Sequence, residues 1–229
     1  MRGKAALACW WDIDPAVIEE FEDWHNHEHI PERLDAPGFL QATRWDAIIG
    51  SPRYFVYYPT RDVETLTSAT YLNRLNHPTP WSQRMFRHFR NMTRSVCTVC
   101  ARFGTALGET VATVRLSPEP GRADELRDWL IGSHLPRLAG QPGLVSAQLL
   151  ENHSAASGGL TREQAIRGKD AVADWIVLVG GDAREAVMEL RLAALAARLL
   201  TAHGAIATPM TGVYTLACSR ENDATASDS

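Results

Sequence analysis

One segment of this chain occurs twice. Trp24-His25-Asn26-His27-Glu28-His29-Ile30-Pro31, running on to Pro37-Gly38-Phe39, returns as Trp129-Leu130-Ile131-Gly132-Ser133-His134-Leu135-Pro136, running on to Pro142-Gly143-Leu144. The offset is 105 at every shared position: Trp24 to Trp129, His29 to His134, Pro31 to Pro136, Gly38 to Gly143. A common W-x4-H-x-P-x5-P-G-apolar frame marks an internal duplication. Whatever the fold is, it must be built from two copies of one unit.

The order of elements within each copy follows from local signals. The apolar run from Ala5 to Trp11 reads as a buried strand. Asp14-Pro15 starts a helix, with Asp as N-cap and Pro in the first turn. Pro31 is expected to kink or end it. Two strands follow, Phe39 to Ile49 and Tyr54 to Tyr58, joined by the turn at Gly50-Ser51-Pro52. A helix from Asp62 to about Leu75 is broken at His77-Pro78-Thr79-Pro80-Trp81, and a strand runs from Thr93 to Phe103. The second copy repeats this order. Its strands are Glu109–Leu116, Leu144–Glu151, Asp174–Val179 and Thr211–Cys218, and its helices are Ala123–Leu138 and a long Ala- and Leu-rich stretch, Ala183–Ala202. His153 to Asp170 is an insertion expected to be a mobile loop, and 221–229 is small and polar, read as a disordered tail.

Each copy is therefore βαββαβ, a ferredoxin-like unit, and the fold class is α+β. The boundaries fall at 1–104 and 105–220. Each unit leaves one sheet face bare, and packing the two bare faces together buries both. With the W-x4-H-x-P-x5-P-G frame and Pro78-Thr79-Pro80-Trp81 before the fourth strand, the chain resembles the dimeric α+β barrel superfamily. That group includes EthD-like, muconolactone-isomerase-like and antibiotic-biosynthesis-monooxygenase-like proteins. Both barrel halves are read here as fused in one chain. The resemblance implies a small-molecule pocket between a sheet and its helices, and leaves the reaction open.

Composition excludes several classes. Net charge is −4, with no basic block, so nucleic acid is not an expected partner. No stretch reaches the length of a membrane-spanning helix, and the first apolar run is too short for a secretory signal. Cys97-x2-Cys100 lies on a strand, so its two thiols face opposite ways. Cys9, Cys97, Cys100 and Cys218 read as reduced thiols, which points to the cytoplasm.

The two copies also differ, and the differences are where chemistry is expected. At about 100° per residue, Glu28 sits near the centre of the first helix's apolar stripe, flanked by His25. The second copy has Leu130 and Ser133 at those positions. His25, Glu28, His29 and His77 are the candidate acids and bases. Trp24, Arg44, Tyr57, Trp81 and His134 are candidate substrate-binding residues. Plainer alternatives stand beside these: Glu28 paired with Arg44, His29 and His134 closing helix ends, Trp24 packed in the core. The expected activity is cofactor-independent acid–base chemistry, of isomerase, lyase, decarboxylase or cyclase type. Its substrate would be an aromatic, lactone or enol-type molecule. The alternatives are a monooxygenase of the same superfamily, cofactor-free or haem-dependent, and a non-catalytic ligand-binding or stress-response module. No metal is expected, since His25 and His29 lack a third ligand and the H-E-x-x-H pattern. A homodimer is compatible with this reading.

Overall fold

The structure, a computed structural model, describes residues 3–153 and 160–222. The first repeat contains β1 (Ala5–Ile13), α1 (Ile18–Trp24), a π-helical turn (His25–His29), α2 (Ile30–Leu34), β2 (Gln41–Ile49), β3 (Tyr54–Thr60), α3 (Ala69–Asn76), α4 (Pro80–Phe86) and β4 (Phe89–Gly104). The second contains β5 (Thr110–Leu116), α5 (Ala123–Trp129), a second π-helical turn (Leu130–His134), α6 (Leu135–Ala139), β6 (Leu144–Asn152), α7 (Arg162–Arg167), β7 (Trp175–Gly181), α8 (Arg184–Leu190), α9 (Ala197–Ala202) and β8 (Met210–Glu221).

The strands close into an antiparallel barrel in the order β1-β3-β2-β8-β5-β7-β6-β4. Within each repeat the strand order is the same, β4-β1-β3-β2 and β8-β5-β7-β6, as two βαββαβ units require. The β2–β8 and β4–β6 ladders join the halves.

Strand alternation sorts side chains into two layers. Ala6, Ala8 and Trp10 of β1 and Phe55 and Tyr57 of β3 point into the barrel. Leu7, Cys9 and Trp11, with Tyr54, Val56 and Tyr58, point outward under the helices. Both layers are buried, so these strands read as unbroken apolar runs, and the sequence alone leaves their facing open. The four cysteines are free, with Cys97 inside the barrel and Cys100 exposed, as alternation requires.

Pro31 does not end the first helix. The chain stays helical to Leu34 because a π-helical turn precedes the proline, with the Ile30 N–H donating to the His25 carbonyl. Proline lacks an N–H and crowds the carbonyl four residues back, and the wider turn accommodates both defects. The second repeat does the same, with the Leu135 N–H donating to the Leu130 carbonyl. The shared W-x4-H-x-P frame is thus the sequence of a π-turn. A 100° helical wheel fails across it.

The shared Pro-Gly pair has its own cause. Gly38 and Gly143 sit at φ +98 and +82. A Cβ on Gly38 would stand 2.3 Å from Thr65 Oγ1, and one on Gly143 2.6 Å from Ala183 Cβ. Gly38→Ala is expected to lower unfolding free energy by about 2 kcal/mol, from left-handed backbone plus overlap. Denaturant titration measures it, and an unchanged midpoint would refute the account.

Other expectations are corrected. The stretch read as one long helix, 183–202, is two helices, because Leu195 turns inward to burial and its N–H returns to the Leu190 carbonyl. Packing here overrides high helix propensity. The insertion is not simply a loop. Residues 162–167 form α7, capped by Thr161, and dock on the first repeat; residues 154–159 lie outside the described residues. β8 continues through Glu221, and Asn222 donates to the carbonyls of Leu34 and Phe39, while 223–229 lie outside the described residues.

Candidate functional site

The π-turn brings two histidines to the inner face of the first helix. His25 is fully buried and His29 is 9% exposed, with ring centroids 5.5 Å apart. Aromatic rings surround them: Trp11 and Phe21 beside His25, Trp24 and Phe86 beside His29. Arg44 lies against His25, its guanidinium nitrogen 3.2 Å from Nδ1. An arginine can only donate, so Nδ1 accepts and the proton of neutral His25 sits on Nε2. Both His25 Nε2 and His29 Nδ1 are buried without a partner among the described residues.

Burial holds both imidazoles well below the usual histidine range, and nearby guanidiniums, Arg44 for His25 and Arg33 for His29, push the same way. They stay neutral in the fold and gain protons on unfolding. Below about pH 6.5 the unfolded chain then binds more protons, so stability falls as pH falls. The limiting slope is about 1.4 kcal/mol per pH unit for each histidine. The melting temperature is expected to drop as pH falls from about 6.5 to about 5.5, the window just below the ordinary histidine value. His29→Gln should make that drop shallower, and a flat profile in the parent protein would contradict the burial argument.

His29 borders a small chamber of ≈ 30 Å³ between the outer face of the first sheet and its helices. Leu7, Cys9 and Trp11 form its floor, and Phe86, Phe89 and Met92 part of its walls. Its polar lining is Arg33, Tyr58, Tyr71 and Arg94 from the first repeat and Glu163 and Arg167 from α7. Arg33 pairs with Glu163, the two side chains being 3% and 5% exposed. Arg167 bonds Glu163 at 3.2 Å and Asp170 at 2.8 Å. Arg94 donates to the Tyr71 hydroxyl at 3.2 Å and has no carboxylate within ion-pair distance among the described residues. Three guanidiniums thus meet two carboxylates, and the unmatched positive charge is on Arg94. The Tyr58 hydroxyl is buried with no partner, and burial raises its pKa, so it is a protonated donor awaiting an acceptor. Cys9 is pushed up to about 12 by burial and remains a thiol.

The other sequence candidates are dispersed. Glu28 is half-buried and turned toward α4, where one oxygen accepts from Trp24 Nε1 at 3.0 Å, Thr79 Oγ1 at 2.5 Å and Ser82 Oγ at 3.1 Å. It is not part of the chamber lining. Its link to the chamber is Trp24, whose ring centroid lies 4.5 Å from that of His29. Tyr57 points into the barrel and donates to Gln148, on the other side of the sheet from His29. Tyr58, one residue on, is the tyrosine that faces the chamber. His77 is exposed and bonded to the Asn73 carbonyl. Trp81 donates to Glu20 on α1. His134 belongs to the second repeat, bonded to the Ala194 carbonyl at 2.9 Å and stacked on Trp129.

Arg33, Tyr58 and Arg94 escaped the sequence reading, yet the duplication holds the signal for them. The 105-residue offset maps Arg33 to Leu138, Cys9 to Val114 and His25 to Leu130. Strand register pairs Leu7 with Tyr58 and Cys9 with Arg94, and in the other half Ala112 with Val179 and Val114 with Thr211. Tyr58 therefore corresponds to Val179, and Arg94 to Thr211. Of these polar chamber groups only His29 keeps a counterpart of its own kind, His134. The second repeat has an ordinary apolar core in this place.

Solved structures share this architecture. An anthrone oxidase-like protein superposes with a TM-score of 0.65 at 18% identity, over 96% of this chain and 93% of that one. A proposed monooxygenase from Fusobacterium nucleatum superposes with a TM-score of 0.60 at 8% identity, over 96% of each chain. Another from Lactobacillus acidophilus gives 0.59 at 8% identity, over 95% and 96%. The chain shares their fold, which here is a closed eight-stranded antiparallel barrel with helices outside it. No protein-family model matches the chain, and no curated protein matches it significantly in sequence. In this α+β barrel no helix among the described residues is long and apolar enough to cross a membrane.

Proposed function

We propose that the chamber under the first repeat's helices is the active site of a small-molecule enzyme that removes a proton from an enolisable or phenolic aromatic substrate. One observation carries this: His29, whose Nδ1 has no hydrogen-bond partner among the described residues, lines a chamber together with the unbonded Tyr58 hydroxyl and with Arg94, whose charge meets no carboxylate within ion-pair distance. A neutral imidazole can take a proton. Donors lining the same chamber stabilise the negative charge that the proton leaves behind. His29 is the base, and Arg94 and Tyr58 hold the oxyanion. Trp11, Phe86 and Phe89 suit a planar ring. Glu28 is a positioning residue that fixes Trp24 against His29. Returning the proton to another carbon completes an isomerisation, with no redox partner needed.

A chamber of ≈ 30 Å³ holds about one water molecule, far less than such a substrate. Entry requires α7 to move, which breaks the Arg33–Glu163 pair.

A second reading keeps this first step and lets dioxygen consume the carbanion. It is favoured by the name of the anthrone oxidase-like protein that shares the fold. An anthrone treated this way takes up one dioxygen and yields the quinone and one water. Haem does not suit the chamber, because its only buried imidazole stands among guanidiniums in a space of ≈ 30 Å³, against the hundreds of Å³ of ordinary ligand sites.

The test is a panel of aromatic ketones, lactones and phenols, including an anthrone. Carbon-acid exchange with deuterated water is followed by NMR, and oxygen uptake by electrode. Exchange without oxygen uptake supports the first reading, and both together support the second. The active form is neutral His29, so the rate should hold steady from about pH 8 down to pH 6.5 and fall only below the ordinary histidine range. No exchange with any member of the panel above a His29→Gln control would overturn both readings.

A further inference from the structure

A second cavity, unrelated to the chemistry at His29, lies at the barrel end where β1 and β5 finish. Its volume is ≈ 180 Å³. It is walled by the start of β4 at Thr93, the end of β5 at Arg115 to Ser117, the segment from Ala171 to Asp174, and the approach to β8 from Ile206 to Met210. The segment before β7 reaches it because Ala171 bridges to Thr93 on β4.

Arg115 is the unusual residue. On β5, Val111 points into the barrel and Ala112, Val114 and Leu116 point out under the helices. Alternation therefore sends Arg115 inward. The 105-residue offset maps it to Trp10, the matching inward residue of β1, and the guanidinium lies over that ring, 4.9 Å from its centroid. Arg115 is 7% exposed. One terminal nitrogen donates to Thr93 Oγ1 at 3.1 Å and the other to the Ser51 carbonyl at 2.9 Å. Nε is buried and unpartnered, and no carboxylate stands within ion-pair distance among the described residues. A buried cation with only neutral partners is costly, which its lowered pKa reflects, and barrel closure does not need it, since the other half uses a tryptophan.

Apart from Thr93, Ser117, Asp174 and Thr208, the rest of the lining is apolar, and part of it is exposed. Six large apolar side chains are exposed among the described residues, and three of them, Val172, Ile206 and Met210, border this cavity. Such a concentration marks a binding surface rather than scattered exposure. The volume is close to the roughly 150 Å³ that accommodates a benzene ring.

We propose that this barrel end binds a small carboxylate with an apolar body, the carboxylate on Arg115 and the body against Leu116, Ile206 and Met210. Thr93, Ser117 and Thr208 add hydroxyls around the charged end. Asp174, exposed in the same lining and bonded to Ser117, is a like charge that weakens the binding.

Benzoate is the probe, and benzamide its neutral isostere. Labelled methionine methyls separate the two cavities, because Met210 lines this one and Met92 lines the chamber at His29. Benzoate should shift the Met210 signal saturably and leave Met92 in place, with benzamide at least about tenfold weaker. Arg115→Met should weaken benzoate about tenfold or more, and Asp174→Asn should tighten it. Asp174→Asn and the benzamide comparison retain the test if Arg115→Met fails to fold. Equal binding of the two ligands, no saturable shift at Met210, or a shift at Met92 alone would overturn the proposal.

Discussion

His29→Gln should lower turnover by about a hundredfold or more, the ordinary contribution of a positioned general base. Glutamine keeps most of the volume and a hydrogen-bonding end, so the chamber stays formed, but an amide does not take up a proton in this range. The loss should appear in kcat with KM nearly unchanged, because the binding groups, Arg94 and Tyr58, remain in place. Glu28→Gln is the contrast. Its amide oxygen can still accept from Trp24, Thr79 and Ser82, so turnover should change little. If His29→Gln turns over like the parent while Glu28→Gln is dead, the base has been assigned to the wrong side chain.

Glu163→Ala should act mainly on structure. It leaves Arg33, 2% exposed, without its carboxylate, and removing one partner of a buried pair costs about 3–5 kcal/mol if nothing moves. The chain has a cheaper response, which is to release α7 from the first repeat. Amide exchange at Ala165 and Gly168, whose N–H groups bond Thr161 and Gln164, should therefore accelerate strongly, with a smaller drop in melting temperature. Adding Arg33→Leu, the residue the second repeat holds there at Leu138, should restore stability. Unchanged exchange in Glu163→Ala would show that the pair does not hold α7.

The fold was legible because duplication is a global signal. A constant offset and two matched βαββαβ orders leave few architectures, and the strand order follows from that unit. The candidate site was only partly legible, for two physical reasons. The histidine segment is a π-turn, so a wheel drawn at α-helical pitch put Glu28 at the stripe's centre when His25 and His29 turn inward and Glu28 turns toward α4. The strands are buried on both faces, so no alternation in polarity tells Tyr57 from Tyr58. Arg94 and Glu163 come from distant segments, and only the assembled barrel brings them to His29.

The barrel's two closing seams, β2 with β8 and β4 with β6, lie within one polypeptide. Were the halves separate and identical chains, every substitution would enter both sites at once, and an arginine at position 33 would have to be tolerated twice. Joined in tandem they are inherited together but written separately. One copy could collect arginines and a tyrosine under its helices while the other kept leucines and valines for strength. The same independence lets one copy hold Arg115 where the other holds Trp10. Closure also becomes a first-order event, so unfolding midpoints set by these seams should not shift with protein concentration.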